Sequence, residues 1–331
     1  MRYRRLGKSN ILVSEIGFGA WTIALDWWGK KIDDDYAIRM LKRAYDLGIN
    51  FFDTADIYGK GRSERLIARA FKDMAMDEVI ISTKFGYDIY SSIEQIGHSE
   101  LPQRFDAKYV RFALEKSLER LERSYVDVYN LHNPKMYAIM HDPLFLALEQ
   151  LRAEGRIRHY GVALGPAIGW KDEGIYAMEK RRNVTALQTV YNVLEQEPAR
   201  QFFPYARAND VGILVRVPDA SGVLTGKLTV NTQLDKNDHR AFRKRAWIEE
   251  ASKRLDMLKP IAESRGWSIR ELAIKFILSE QCVSSVLPTV TSIEELEAYA
   301  TISDGKYLNS DELNAINEMY DKDFVLLQSI Q

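Results

Sequence analysis

Short apolar runs alternate with amphipathic stretches along most of the chain. Glu15–Gly19, Asn50–Asp53, Val79–Thr83, Val126–Leu131, Arg158–Val162, Ala186–Val190, Ile213–Val217 and Ser284–Leu287 have the length and apolar content of buried strands. Between them the apolar residues recur at the helical period. Ile38, Leu41 and Ala44 share one face of Asp35–Leu47. Val110, Ala113, Leu114, Leu118 and Leu121 form a stripe along Ala107–Leu121, with Lys and Glu opposite. The same reading predicts helices over Ser63–Phe71, Pro143–Glu154, Gly174–Arg181, Arg200–Asn209, Ile248–Arg265, Ser268–Glu280 and Ile293–Thr301. Ser268 with Glu271, Ser292 with Glu295 and Asn309 with Glu312 have the spacing of capping boxes.

Strands separated by helices pair in parallel, because parallel neighbours need a crossover, and eight such units close a (β/α)8 TIM barrel. The opening of the chain departs from this alternation. Tyr3–Leu6 and Ile11–Ser14 flank Gly7-Lys8-Ser9-Asn10, the pattern of an N-terminal β-hairpin ahead of the first barrel strand. No Pro/Gly/Ser-rich linker or repeat interrupts the chain, so residues 1–331 are expected to form a single barrel domain. Gly86–Asp106 and Leu228–Arg245 carry no obvious element. They follow strands three and seven, where a barrel keeps its functional loops.

Composition narrows the function. With 46 basic and 47 acidic residues, the chain lacks the charge excess that nucleic-acid or membrane-surface binding requires. Cys282 is the only cysteine and lies in an apolar-flanked run, which excludes an intrachain disulfide and fits a reducing compartment. The start, Met1-Arg2-Tyr3-Arg4-Arg5, leads into no apolar signal region, and no window is long enough to span a membrane. A cytoplasmic location is therefore expected. The five histidines, His98, His132, His141, His159 and His239, show no metal-ligand spacing.

The candidate chemistry lies at the ends of strands two, three and four. The second runs into Asp53-Thr54-Ala55-Asp56-Ile57-Tyr58-Gly59, the third ends in Thr83-Lys84-Phe85, and the fourth ends in Leu131-His132-Asn133. Neighbouring strand tips converge in a barrel, which brings Asp53, Tyr58, Lys84 and His132 within reach of one pocket. Carbonyl reduction needs a hydride at carbon and a proton at oxygen. A free tyrosine, with a pKa near ~10, is a weak acid at neutral pH. An adjacent ammonium stabilises its phenolate, and a carboxylate keeps that ammonium charged and placed. An imidazole N–H can polarise and orient the carbonyl. These considerations suggest Tyr58 as acid/base, Lys84 as its modulator, Asp53 as the partner of Lys84 and His132 as the orienting donor. Taken singly, each has an ordinary alternative: an aromatic at the core edge, a lysine reaching solvent, a turn-capping aspartate, a loop histidine.

Gly48-Ile49-Asn50-Phe51-Phe52-Asp53-Thr54-Ala55-Asp56-Ile57-Tyr58-Gly59 with Ser63-Glu64 resembles the aldo-keto reductase signature. Thr83-Lys84 resembles that family's lysine motif, and Ser117–Leu121 leading to Asp127–His132 resembles the approach to its histidine. The resemblance runs in family order to about residue 300 and covers all four catalytic positions. It implies an NAD(P)H-dependent oxidoreductase acting on a small aldehyde, ketone or sugar-like carbonyl, or on the alcohol in reverse. The dinucleotide, NADP or NAD, would lie across the barrel mouth without a Rossmann domain. By resemblance Gly19, Ala20, Trp21 and Asp53 flank the nicotinamide, and Gln188 holds its carboxamide. Arg216, Leu224 and Lys227 fall in the segment that covers the pyrophosphate, and Thr291 and Glu295 fall in the adenosine-phosphate region. Trp21, Trp27, Trp28, Tyr58, Phe85, His132 and Trp170 are candidates for the substrate wall.

Three departures from the family pattern matter. Ala163-Leu164 replaces the Ser-Asn pair that usually holds the carboxamide. Arg216 stands where an aromatic commonly stacks on the nicotinamide, suited either to stacking, to the pyrophosphate or to a barrel-mouth salt bridge. Thr291, Glu295 and Tyr299 replace the residues that usually bind the 2′-phosphate. A carboxylate repels a phosphate but accepts hydrogen bonds from a ribose diol, so a weakened NADP preference is expected. Glu295 also fits a plain capping box with Ser292. Two rival readings are a cofactor-sensing interaction module, since channel-associated β subunits resemble aldo-keto reductases, and a Schiff-base enzyme using Lys84.

Overall fold

The computed structural model describes residues 1–75, 77–91, 100–165, 170–235 and 238–324. The chain opens with a hairpin of β1 (Tyr3–Arg5) and β2 (Leu12–Ser14), paired antiparallel. Eight parallel strands follow: β3 (Phe18–Gly19), β4 (Phe51–Asp53), β5 (Ile80–Phe85), β6 (Val126–His132), β7 (Ile157–Ala163), β8 (Val184–Val190), β9 (Gly212–Arg216) and β10 (Val283–Leu287). Each pairs with its neighbour in sequence, and a parallel bridge between Ile16 and Val286 closes the barrel.

Helices wrap this barrel: α1 (Asp34–Asp46), α2 (Arg62–Phe71), α3 (Ala107–Leu121), the short α4 (Met136–Ile139), α5 (Asp142–Ala153), α6 (Lys171–Lys180) and α7 (Ala199–Asn209). After β9 come α8 (Arg245–Ser264) and α9 (Ile269–Leu278), and after β10 come α10 (Ile293–Ala300) and α11 (Ser310–Met319). The apolar stripe of α3 is buried as its spacing predicts, and Asp106 caps its start by accepting from Tyr109 N. Capping boxes form at Ser268–Glu271 and Asn309–Glu312. The third is only half formed: Ser292 accepts from Glu295 N, but the Glu295 carboxylate turns to Thr291 and Lys227 instead. An ion pair across the loops outcompetes the local return bond.

The hairpin seals the end of the barrel opposite the strand tips. Leu6, Ile11 and Val13 bury against Phe51, Ile80, Val128, Ala186 and Leu214. Gly7 makes this approach possible, because a Cβ there would lie 2.4 Å from the Thr185 carbonyl oxygen. With that end plugged, the cleft lined by Asp53, Gln188 and Arg216 opens at the C-terminal strand tips. Of the two intervals without obvious elements, the first begins with an antiparallel bridge, Tyr87 to Gln103, and the second holds a 3-10 turn, His239–Phe242. Among the described residues no helix is long and apolar enough to cross a membrane.

Candidate active site

Alternation along each strand decides which side chains enter the barrel. Ser82 and Lys84 on β5, and Asn130 and His132 on β6, are two residues apart and share the inward face. The register sets Asp53 beside Ser82 and Lys84 beside Asn130, so the inward groups meet in layers. In the lower layer Asn130 Nδ2 donates to Ser82 Oγ at 2.9 Å, and Ser82 Oγ donates to Asp53 Oδ1 at 2.9 Å. Room for Asn130 comes from Gly161, where a Cβ would sit 2.4 Å from Asn130 Oδ1.

The upper layer brings together the four residues expected to share a pocket. Lys84 is fully buried, and its Nζ donates to Asp53 Oδ2 at 2.6 Å and to the Thr54 carbonyl at 2.8 Å. A third bond reaches the Tyr58 hydroxyl at 3.4 Å. The Tyr58 ring stands edge-on to His132, with centroids 5.9 Å apart, and Tyr87 contacts the imidazole at 5.1 Å. Burial alone would push Lys84 down, but Asp53 and Tyr58 hold it above the usual lysine value. Burial, with the positive charges of Lys84 and Arg216, pushes His132 well below the ordinary histidine range. The imidazole is therefore neutral at physiological pH and keeps one N–H to donate.

Behind Lys84 lies a second carboxyl layer that the sequence did not reveal. Glu64 accepts from Thr83 Oγ1 at 2.7 Å and pairs with Arg120 at 2.6 Å. Asp56 is buried, with neither oxygen hydrogen-bonded among the described residues. Burial and the Glu64 charge push Asp56 well above the carboxylate range.

A cleft of about 890 Å³, measured out to its mouth, opens beside Tyr58 and Asp53. Gly19, Trp21, Trp28, Gln188 and Arg216 line it, as expected from sequence. Ala20 is buried at its edge and donates its N–H to the Asp53 carbonyl. Trp27 stacks on His239 at 5.7 Å, and His239 also meets Trp28 at 5.4 Å and Phe242 at 5.1 Å. The loops after β3 and β9 thus interlock over the opening. Arg216 is not in a salt bridge among the described residues. One nitrogen donates to the Leu164 carbonyl at 2.8 Å, and Nε is buried without a partner, as is Gln188 Nε2.

Several candidates fall elsewhere. Phe85 is fully buried against Tyr129, with centroids 4.5 Å apart, and faces away from the cleft. Leu224 is buried in the 3-10 segment Ala220–Thr225 and does not line the cleft. Trp170 packs over Gly165 rather than on the cleft wall, and the loop leading to it, Pro166–Gly169, lies outside the described residues, as does His98. Lys227 and Thr291 converge on Glu295: Lys227 Nζ pairs with Oε1 at 2.6 Å, and Thr291 N donates to Oε2 at 2.9 Å. Conversely, Glu195, Ser221, Phe242, Arg243 and His239 line the cleft without having been singled out for it. Glu195 and Arg243 pair at 2.7 Å across two loops, a contact that no local spacing discloses. Among the described residues no cluster of His, Cys, Asp and Glu has the makings of a metal site.

A sequence model described as "Aldo/keto reductase family" matches residues 15–321. A probable voltage-gated potassium channel subunit beta of Oryza sativa subsp. japonica is 27% identical, over 89% of this chain and 89% of its own length. An NADH-specific methylglyoxal reductase of Escherichia coli (strain K12) is 27% identical, over 88% of this chain and 90% of its own. Among solved structures, aldo-keto reductase AKR11C1 from Bacillus halodurans in its holo form superposes with a TM-score of 0.77, at 28% identity over 96% of each chain.

Proposed function

The chain belongs to the aldo/keto reductase family of oxidoreductases, whose members typically use NAD(P)H, and from that premise we propose that it reduces small aldehydes or ketones with Tyr58 as proton donor. The observation that carries this reading is a fully buried ammonium, Lys84, reaching both Asp53 and the Tyr58 hydroxyl. An ammonium at that distance can hold the hydroxyl in place and meet the negative charge that develops on the oxygen as the proton leaves. Asp53, held in place by Ser82, keeps the ammonium charged in a site that would otherwise strip its proton. A neutral His132 donates a hydrogen bond to the carbonyl oxygen without competing as the acid.

The cleft fits a dinucleotide in kind. Gln188 and Arg216 offer buried donors without protein partners, and the segment after β9 is tied to α10 by Lys227 and Glu295. Bound NAD(P)H supplies the hydride, so the chain itself has to supply only the proton and the orientation. Gly19, Trp21 and Trp28 line the wall with Asp53 and Tyr58, and His132 stands behind that lining, edge-on to the Tyr58 ring.

The cofactor reading favours NADH. The first turn of α10 carries Glu294 and Glu295, and although burial works against it, Lys227 and Thr291 hold the Glu295 carboxyl below its usual value. With Lys227 engaged by Glu295 rather than turned to a 2′-phosphate, that group would gain little here, whereas a ribose diol could donate to the carboxylate. The NADH specificity named for the E. coli relative agrees with this. Small carbonyl compounds of the kind that relative reduces are the first substrates to test.

The decisive experiment follows NADH and NADPH oxidation with an aldehyde panel, in the wild type and in Tyr58→Phe. Loss of roughly a hundred- to ten-thousandfold in kcat with dinucleotide affinity retained is expected. Wild-type turnover in Tyr58→Phe would sink the assignment. Saturable binding without turnover in the wild type would favour an interaction module such as the rice relative.

A further inference from the structure

We propose that Arg216 sets the redox preference of the cleft, making it bind the reduced nicotinamide more tightly than the oxidised form. This rests on the dinucleotide reading above and goes beyond it.

The argument is a charge balance at the cleft. Asp53 is neutralised by Lys84 at 2.6 Å, Glu195 by Arg243 at 2.7 Å, and Glu295 by Lys227 at 2.6 Å. His132 is neutral. Arg216 has no carboxylate within salt-bridge distance among the described residues, and its one protein bond there is to the neutral Leu164 carbonyl. A guanidinium stays protonated even when buried, so the cleft wall carries one uncompensated positive charge.

That charge stands at the catalytic end. Arg216 is the last residue of β9, paired in register with Val190, two residues beyond Gln188. It lies in the electrostatic reach of Tyr58, Asp53 and Tyr87. A half-buried guanidinium with no carboxylate beside it is a ready partner for a ligand, at less cost than a fully buried charge would carry. The unpartnered Nε suits an acceptor oxygen, and the backbone bond to Leu164 spans the position after β7 where polar side chains are missing.

A nicotinamide ring carries a positive charge when oxidised and none when reduced, while the rest of the dinucleotide is identical in the two forms. A fixed cation nearby therefore penalises only the oxidised ring. Across about 7–12 Å at an effective dielectric near ~20, one unit charge shifts the ratio of the two dissociation constants by roughly ten- to fiftyfold.

The test is tryptophan-fluorescence titration of the wild type, Arg216→Gln and Arg216→Lys with both members of the pair that binds, NADH and NAD+ or NADPH and NADP+. The wild type should bind the reduced form at least about tenfold more tightly. Arg216→Gln should lower that ratio by about tenfold or more, and Arg216→Lys should keep it even if both affinities fall. Equal affinities in the wild type overturn the proposal whether or not the variants fold, and so does an unchanged ratio in Arg216→Gln. Binding of neither form would instead defeat the dinucleotide reading, and this inference with it.

Discussion

Replacing Asp53 by Asn isolates the buried ion pair with little change of shape. The amide retains the hydrogen bond with Ser82 but removes the charge 2.6 Å from Lys84 Nζ. Lys84 is fully buried and would keep only the Thr54 carbonyl and the Tyr58 hydroxyl as partners. Breaking one side of a buried pair strands the other charge, at a cost of about 3–5 kcal/mol. An ammonium can escape part of that cost by losing its proton, so the penalty depends on pH.

In the wild type the folded pKa of Lys84 is raised, so its stabilising contribution is complete below the unfolded value near ~10.4 and is lost as pH rises through the folded value. Without Asp53, burial dominates and the folded pKa falls below the unfolded one. The unfolded chain then binds the extra proton, and the stability of the variant rises with pH. Urea unfolding of both proteins between pH 6 and pH 10 should give a difference of about 3–5 kcal/mol at pH 6. The gap should narrow toward the alkaline end, leaving about 1 kcal/mol for the altered hydrogen bonds. A penalty that is constant with pH, or below about 1 kcal/mol at pH 6, would mean that Asp53 does not hold the charge on Lys84.

Three further outcomes follow from the same structure. Because the folded pKa of His132 is depressed, kcat/KM should show no imidazole limb near ~6.5, and its share of stability should be lost as pH falls through that unfolded value; a limb removed by His132→Asn would contradict this. Asp56 has a raised folded pKa, so it costs stability increasingly as pH rises above its unfolded value near ~3.9. Asp56→Asn should therefore gain about 1 kcal/mol or more at pH 7 relative to pH 4, and equal effects at both pH values in thermal melts would refute it. Glu295→Gln removes a carboxylate from the α10 turn and frees Lys227, so NADPH affinity should rise about tenfold or more against NADH at low salt; an unchanged ratio in parallel titrations would place the 2′-position elsewhere.

How far the sequence could be read depended on the range of the forces involved. The stripe of α3 and its Asp106 cap are local, and the helix runs over Ala107–Leu121 as its periodicity indicates. The convergence of Asp53, Tyr58, Lys84 and His132 was legible because barrel topology alone brings neighbouring strand tips together. Phe85 shows where that reasoning fails. The sequence placed Lys84 and Phe85 together at the end of the third strand and offered both to the pocket. In the structure β5 continues through Phe85, and adjacent residues of a strand must point to opposite faces. Lys84 takes the inside, so Phe85 stacks on Tyr129 outside. The Lys227–Glu295 and Glu195–Arg243 pairs were invisible for another reason: each joins loops whose approach is set by the closed barrel rather than by sequence spacing.

The placement of charge explains why one fold can put a weak acid to work at neutral pH. Two cations, Lys84 and Arg216, bear on the catalytic end, and they act differently on the two groups able to give up a proton. For a neutral acid such as tyrosine, a nearby positive charge stabilises the ionised form and eases proton release. For histidine it destabilises the ionised form, so the ring stays neutral and can only lend a hydrogen bond. Under the proposed mechanism, the same field leaves the proton transfer to a tyrosine and the hydrogen bond to His132. Asp53 sets the strength of that field, since its carboxylate both keeps Lys84 protonated and offsets its charge. Asp56 is placed less well for that part, because burial and the Glu64 charge push its carboxyl well above the ordinary carboxylate range. Asp53 differs in its partners: Lys84 pairs with one oxygen and Ser82, itself bonded by Asn130, donates to the other, whereas Asp56 is buried beside Glu64.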